Sequence, residues 1–280
     1  MRAVPDQHRA MKSIPPIPGA IADSFDEEGL GPYWKPWTSG VGTLASSESV
    51  LRCTLEPASD RQYSDAQITD YHGLPRREFP WRPPLRLTVR AWASHSVQEL
   101  RGTAGFGFWN EPFVPVGRRL PRLPRAAWFF FASPPNNMAL ARDVPGFGWK
   151  AATLDAGRPL FWLLAPLAPL GFLLMRIPRL YRTLWPLGQR ALGASEALLP
   201  VDLVTAHSYT LEWLTDSVIL QVDGQPIHVS PCAPRGPLGF IAWMDNQYAV
   251  VTPQGHFKFG LIATTEPQWL ALDQVEIEPL

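Results

Sequence analysis

Hydrophobic and polar positions alternate in short runs along most of the chain. In Leu85–Ala93, Leu85, Leu87, Val89 and Ala91 fall on one face, the period-2 signature of a half-buried strand. In residues 62–71, Tyr63, Asp65, Gln67, Thr69 and Tyr71 point one way, and Ser64, Ala66, Ile68 and Asp70 the other. In residues 269–277, Leu270, Leu272, Gln274 and Glu276 oppose Ala271, Asp273, Val275 and Ile277. Further strands are predicted at 49–55, 102–110, 149–154, His207–Trp213, 217–222, 226–229, 238–244 and 258–264. Residues 126–133 (AAWFFFAS) are apolar on both faces, which predicts a strand covered on both sides. The glycines of 102–110 (GTAGFGFWN) imply close approach by a neighbour or ligand. Asp223-Gly224 between two β-rich runs is a hairpin turn signal. Strands at this spacing predict an all-β, antiparallel β-sandwich or barrel. Residues 1–20 read as an N-terminal tail, polar and then proline-rich, and 21–280 as a single domain.

One stretch breaks the pattern. Residues 159–175 (PLFWLLAPLAPLGFLLM) carry no charge. Behind them, Arg176, Arg179, Arg182 and Arg190 interleave with Ile177, Leu180, Tyr181, Leu184, Trp185 and Leu187. A membrane-spanning helix needs about 20 apolar residues, and prolines and Gly171 interrupt this run. Residues 158–200 are therefore predicted to be a mainly helical, hydrophobic and basic insertion. Three placements stay open: a lid packed on the sandwich, a surface for lipid or for self-association, and a true span. Phe161, Trp162, Phe172, Arg176, Arg179, Arg182 and Trp185 are its lid or membrane residues. Arg118, Arg119, Arg122 and Arg125 in loop 117–125 are further candidates for anionic headgroups.

Composition narrows the function classes. Twenty-five basic and twenty-five acidic residues cancel, which excludes the broad basic footprint of a nucleic-acid binder. Charged residues make up only 18%, with 31 prolines and 12 tryptophans, a balance that favours loop-rich β structure. Cys53 and Cys232 form no disulfide framework. The first twenty residues lack the apolar core of a secretory signal, so the expected location is cytoplasmic, with the membrane periphery left open. None of the six histidines has zinc-site spacing, and no phosphate-loop, dinucleotide or Gly-x-Ser-x-Gly motif occurs.

His207-Ser-Tyr-Thr-Leu-Glu-Trp213, Asp216-Ser-Val-Ile219 and Val222-Asp-Gly224 resemble the H-x-Y-x-x-E-W, D-x-I and V-D-G run of concanavalin A-like jelly rolls, closest to family-16 glycoside hydrolases. Leu272-Asp-Gln-Val-Glu-Ile277 is similar to their closing strand, and Asp23-Ser-Phe25 with Trp34 and Trp37 to their entry segment. The resemblance covers most of 23–280, with 158–200 as an insertion. It implies a jelly-roll fold and no cofactor, and it allows a structural calcium near the termini, with Asp273 as a candidate ligand. The departure concerns chemistry. The hydrolases carry Glu-x-Asp-x-Glu on a central strand, where nucleophile and acid/base flank the scissile bond. This chain has no such motif, and the strand that follows in order, 126–133, offers Trp128, Phe129, Phe130 and Phe131. An aromatic ring neither attacks carbon nor donates a proton.

The expected function is therefore non-hydrolytic: an aromatic-lined cleft binding an apolar or carbohydrate-containing ligand through Gln67, Trp109, Trp128, Phe130, Trp243 and Asn246. Two alternatives stand beside it. One is an enzyme, either a glycosidase or a tailoring enzyme for a hydrophobic metabolite, with relocated acid/base residues drawn from Glu111, Asp65 and Asp245. The other is a peripheral membrane-associated protein. The competing structural readings are a solvated loop for Glu111, an exposed sheet face for Asp65 and Gln67, and a packed core ring for Trp243.

Overall fold

A computed structural model describes residues 19–27, 29–112 and 122–280. Most of the N-terminal tail, and Arg118 and Arg119, lie outside the described residues. Alternation of apolar positions builds two packed antiparallel sheets. The first runs β13 (Gln225–Ser230), β12 (Val218–Val222), β11 (His207–Trp213), β6 (Leu85–Ala93), β17 (Gln268–Pro279), β4 (Val50–Leu55) and β3 (Gly42–Ser47), with β1 (Ile21–Asp23) also paired to β17. The second runs β10 (Ser195–Leu198), β9 (Gly148–Asp155), β8 (Arg125–Ala132), β7 (Thr103–Trp109), β14 (Gly239–Asp245), β5 (Asp65–Thr69) and β2 (Lys35–Ser39). A separate hairpin joins β15 (Gln247–Val251) to β16 (Phe257–Leu261). The all-β sandwich expected from the pattern is borne out.

Between the sheets lies one aromatic-rich core. Phe106, Phe129, Trp149 and Tyr209 meet edge to face or tilted, as do Phe108, Trp213 and Phe240. Both cysteines are buried and unpaired. Asp223 and Gly224 take positive φ angles of 50° and 74°, which a tight hairpin turn requires, and they join β12 to β13.

The alternation read in 269–277 needs correction. Leu270 and Leu272 face the core, and so do Val275 and Ile277. A register shift between Leu272 and Gln274 inserts Asp273 as an extra residue and exchanges the faces, as a β-bulge does. Five strands escape the sequence pattern: β1, β2, β3, β10 and β15. They lie at or near sheet edges or outside both sheets. Segments such as KPWTS and GTLASS carry proline, glycine and serine there, which edge positions tolerate.

The insertion is helical, as expected. It comprises α1 (Pro159–Leu164), a 3-10 turn (Ala165–Leu167), α2 (Ala168–Leu174) and α3 (Pro178–Leu192). Prolines open each piece, where a missing N–H costs nothing. They thereby divide the apolar run into lengths of one or two turns. Among the described residues no helix is long and apolar enough to cross a membrane. Gly193, at φ 56°, ends α3 by donating to Arg190 O while Ala194 donates to Gln189 O, a left-handed helix stop. The chain then returns to the sheet as β10, the edge strand beside β9.

Candidate functional site

The outer face of the second sheet carries the candidate site. Three rows cross it. In the first, Gln67, Trp243, Gly105, Phe130 and Lys150 are successive cross-strand partners. In the second the partners are Thr69, Ile241, Gly107, Trp128, Ala152 and Glu196. In the third they are Asp65, Asp245, Thr103 and Ala132. Strand β7 contributes glycine to the middle of this face, so rings from both neighbours lean over it. Trp128 stacks on Phe130 at 5.5 Å and 19°, and Phe130 on Trp243 at 6.0 Å and 29°. Trp109 adds a fourth ring 6.2 Å from Trp128. A Cβ at Gly105 would lie 3.0 Å from the Trp243 ring and 2.3 Å from Phe129 O. The close approach read from these glycines is thus made by neighbouring strands and rings.

The sequence-predicted residues divide by position. Gln67, Trp109, Trp128, Phe130 and Trp243 come together on this face. Trp109 and Trp128 are half-buried, while Phe130 and Trp243 lie deeper, with Tyr71 and Phe79 beneath the same cluster. Trp243 Nε1 donates to Thr103 Oγ1, which donates to Asp245 Oδ1. Asn246 does not join them. It is buried, its amide donates to the carbonyls of Ser59, Gln62 and Ile262, and its oxygen accepts from Ser64 N. Both amide hydrogens are taken up within the chain. Its role is to tie the 56–64 connection to the chain after β16.

The three acid/base candidates occupy opposite ends of the face. Asp65 and Asp245 are direct cross-strand partners, both buried. Burial, and then the neighbouring Asp245, raises the Asp65 carboxyl well above its ordinary range. Burial pushes Asp245 up to about 6. Among the described residues Asp65 Oδ1 has no hydrogen-bond partner, so a proton on Asp65 relieves both repulsion and desolvation. Glu111 lies just past the far end of β7, where φ of 48° breaks the alternation after Trp109. Six residues of strand separate Thr103 from Trp109, roughly 20 Å at ~3.3 Å per residue. Glu111 is thus too remote from Asp65 and Asp245 for a glycosidase pair, whose carboxyls stand about 5–9.5 Å apart.

Sequence reasoning missed a buried ion pair on the same face. Lys150 Nζ lies 3.0 Å from Glu196 Oε2, and both side chains are almost wholly buried. Burial lowers the Lys150 pKa, against the pull of Glu196. Glu196 Oε1 also accepts from Leu140 N and Ala141 N, both at 2.8 Å. Trp185 of α3 donates to Leu140 O, so the pair anchors the loop on which the insertion rests. Of the lid or membrane residues, Trp185 therefore faces the protein. A lone lysine among alanines in β9 (GWKAATLD) was the available signal.

Two further candidates find partners within the chain. Arg125, read as a headgroup contact, pairs instead with buried Asp155, which Arg235 also holds. Asp273 pairs with a cation of the chain itself, Arg90 Nη1 bonding its Oδ2. Calcium wants six to eight oxygens, and among the described residues no cluster of three acidic, histidine or cysteine side chains could hold a metal.

Solved structures share this architecture. A GlcNAcα1-4Gal-releasing endo-β-galactosidase from Clostridium perfringens superposes with a TM-score of 0.52 at 14% identity, covering 92% of this chain and 60% of that one. A β-1,3-1,4-glucanase (lichenase) derived from a mouse hindgut metagenome gives 0.51 at 12% identity, covering 93% and 99%. The fold is the concanavalin A-like jelly roll of the lichenase-type glycoside hydrolases. Crh5 transglycosylase in complex with NAG matches at 0.50 and 8% identity, over 93% of this chain and 84% of that one. No protein-family profile and no curated protein sequence matches the chain. The jelly-roll architecture inferred from His207–Trp213 and Val222-Asp-Gly224 is therefore borne out, at the level of fold.

The buried carboxyls make stability depend on pH. Asp70, fully buried, accepts from Trp81 Nε1 and Phe240 N, and burial still pushes it up to about 7. With Asp245 near 6 and Asp65 also raised, the folded state holds protons that the unfolded chain releases near 3.8. Unfolding free energy therefore rises as pH falls from 8 towards 5, and falls as pH climbs through 7. His228, whose pKa burial lowers, opposes this below pH 6.5. At about 1.4 kcal/mol per pKa unit, the expected net gain is on the order of 2–4 kcal/mol. Urea titrations across this range check it, and Asp70→Asn is expected to flatten the slope.

Proposed function

We propose that the protein binds a ligand with flat apolar faces, a sugar ring or an apolar metabolite, on the half-buried Trp109 and Trp128 rings, with the buried Phe130 and Trp243 rings packed behind them, and does not hydrolyse it. The carrying observation is the outward face of β8. Alternation places Ala126, Trp128, Phe130 and Ala132 there, since Ala127, Phe129 and Phe131 point into the core. By strand order, the resemblance implies that the hydrolases' carboxylates would fall on this strand, and here it offers indole and benzyl rings. Ring stacking suits sugar faces. The neighbours include a lichenase and an endo-β-galactosidase, which makes a carbohydrate the first ligand to test. Laminarin and lichenan are expected to shift the tryptophan fluorescence without releasing reducing ends. Trp128→Ala is expected to weaken binding on the order of tenfold, as loss of one stacked ring does. Absence of any shift with either glucan, or with apolar ring compounds, would overturn the reading.

The enzymatic reading retains one supporting observation, the adjacent Asp65 and Asp245 carboxyls on the same face. Their burial argues against direct contact with a substrate. Reducing-end release abolished by Asp245→Asn or Glu111→Gln would establish it.

A further inference from the structure

The insertion presents an apolar surface that the sandwich does not use. Its helices bury only Trp185 and Ala191. Trp162, Leu163, Leu167, Leu170 and Leu173 are exposed, Leu163 to 72%. The β15–β16 hairpin extends this surface. Phe172 meets the Phe257 ring at 5.5 Å, Arg176 Nε donates to Gln254 O, and Phe259, two residues on from Phe257, is 68% exposed. Two segments about eighty residues apart thus converge into one apolar surface.

Charge is equally one-sided. From 156 to 195 the chain carries Arg158, Arg176, Arg179, Arg182 and Arg190 and not one acidic residue. The whole chain is neutral, so this segment concentrates positive charge. Arg176, Arg179 and Arg182 are exposed. A basic rim around exposed Leu, Trp and Phe on short helices is the chemistry of an interfacial membrane contact. A protein partner of average composition accounts for the apolar residues but not for a run of five arginines without one acidic residue. No described helix is long enough to span.

We infer that α1, α2 and the tip of the β15–β16 hairpin dock the protein onto an anionic lipid surface, with Trp162, Leu163, Leu167 and Phe259 entering the acyl boundary and Arg176, Arg179 and Arg182 at the headgroups. The inference is independent of the ligand reading above. Flotation of the full chain with phosphatidylcholine vesicles, with and without phosphatidylglycerol, tests it. Recovery is expected with the anionic vesicles at low salt, and it should fall as salt screens the arginines. The triple variant Arg176→Gln, Arg179→Gln, Arg182→Gln should lower vesicle affinity on the order of a hundredfold, because each cation near an anionic surface adds to the attraction. Leu163→Asp with Phe259→Asp should abolish flotation while leaving the thermal melt unchanged, because both positions are exposed. Failure to float at low salt would overturn the inference. So would flotation indifferent to both sets of substitutions. Sedimentation showing a dimer that Leu163→Asp dissociates, without vesicle binding, would assign the surface to a second copy of the chain instead.

Discussion

Glu196→Leu is expected to lower the unfolding free energy by about 3–5 kcal/mol, the cost of leaving one member of a buried ion pair uncompensated. Lys150 would keep its ammonium in a site where its side chain is only 2% exposed. The amides of Leu140 and Ala141 would lose their shared acceptor, at about 1–3 kcal/mol for each group left unsatisfied. Lys150→Met should cost a similar amount for the mirror-image reason. The double variant Lys150→Met, Glu196→Leu should recover much of the loss, because two apolar side chains replace two desolvated charges. Recovery should stay incomplete, since the two amides remain unpaired. Urea titrations of the four proteins give the coupling energy directly. A loss under about 1 kcal/mol in Glu196→Leu would mean that water reaches Lys150 and that the loop is not anchored as described.

Gly107→Ala is expected to cost about 2–4 kcal/mol and to disorder the aromatic surface. Gly107 has φ of 146°, a conformation alanine adopts only under strain. Its Cβ would lie 2.5 Å from Ala127 O, 2.6 Å from Trp128 Cα and 2.7 Å from Trp128 Cβ. These atoms belong to the neighbouring strand, so relief requires moving β8 and its rings together. Glucan binding, if Trp128 carries it, should fall with stability even under conditions where the variant stays folded. Gly224→Ala provides the contrast. It too has positive φ, at 74°, but no atom lies within 4 Å of its Cβ. Its expected cost is only about 1 kcal/mol. Equal losses at the two positions would show that strain alone, and not the packing of β8 against β7, governs Gly107.

Much of the fold was legible because burial on one side imposes a period of two. Leu85–Ala93 and His207–Trp213 coincide with their predicted limits, since each alternates without interruption and lies inside the first sheet. The same rule set Trp128 and Phe130 apart from Phe129 and Phe131 and pointed to the ring-bearing surface. It failed at Asp273, where a bulge exchanges the faces. It also failed for β2 and β3, whose half-buried residues at the sheet margins carry little apolar signal.

By itself the sequence determined the secondary structure of the central strands, the absence of a Glu-x-Asp-x-Glu motif and the broken helices of an apolar insertion. Each is a local property: alternation, the identity of a few side chains, and proline spacing. Tertiary structure decided what only distance decides. It joined Asp65 to Asp245 and kept Glu111 apart, because register across strands, not separation in the chain, sets which side chains meet. It paired Lys150 with Glu196 across 46 residues and brought Phe257 to Phe172. It spent Asn246 on three loop carbonyls. Burial then set the charge states, lifting Asp70, Asp65 and Asp245 together, because desolvation depends on everything that surrounds a group and so on the whole packed chain.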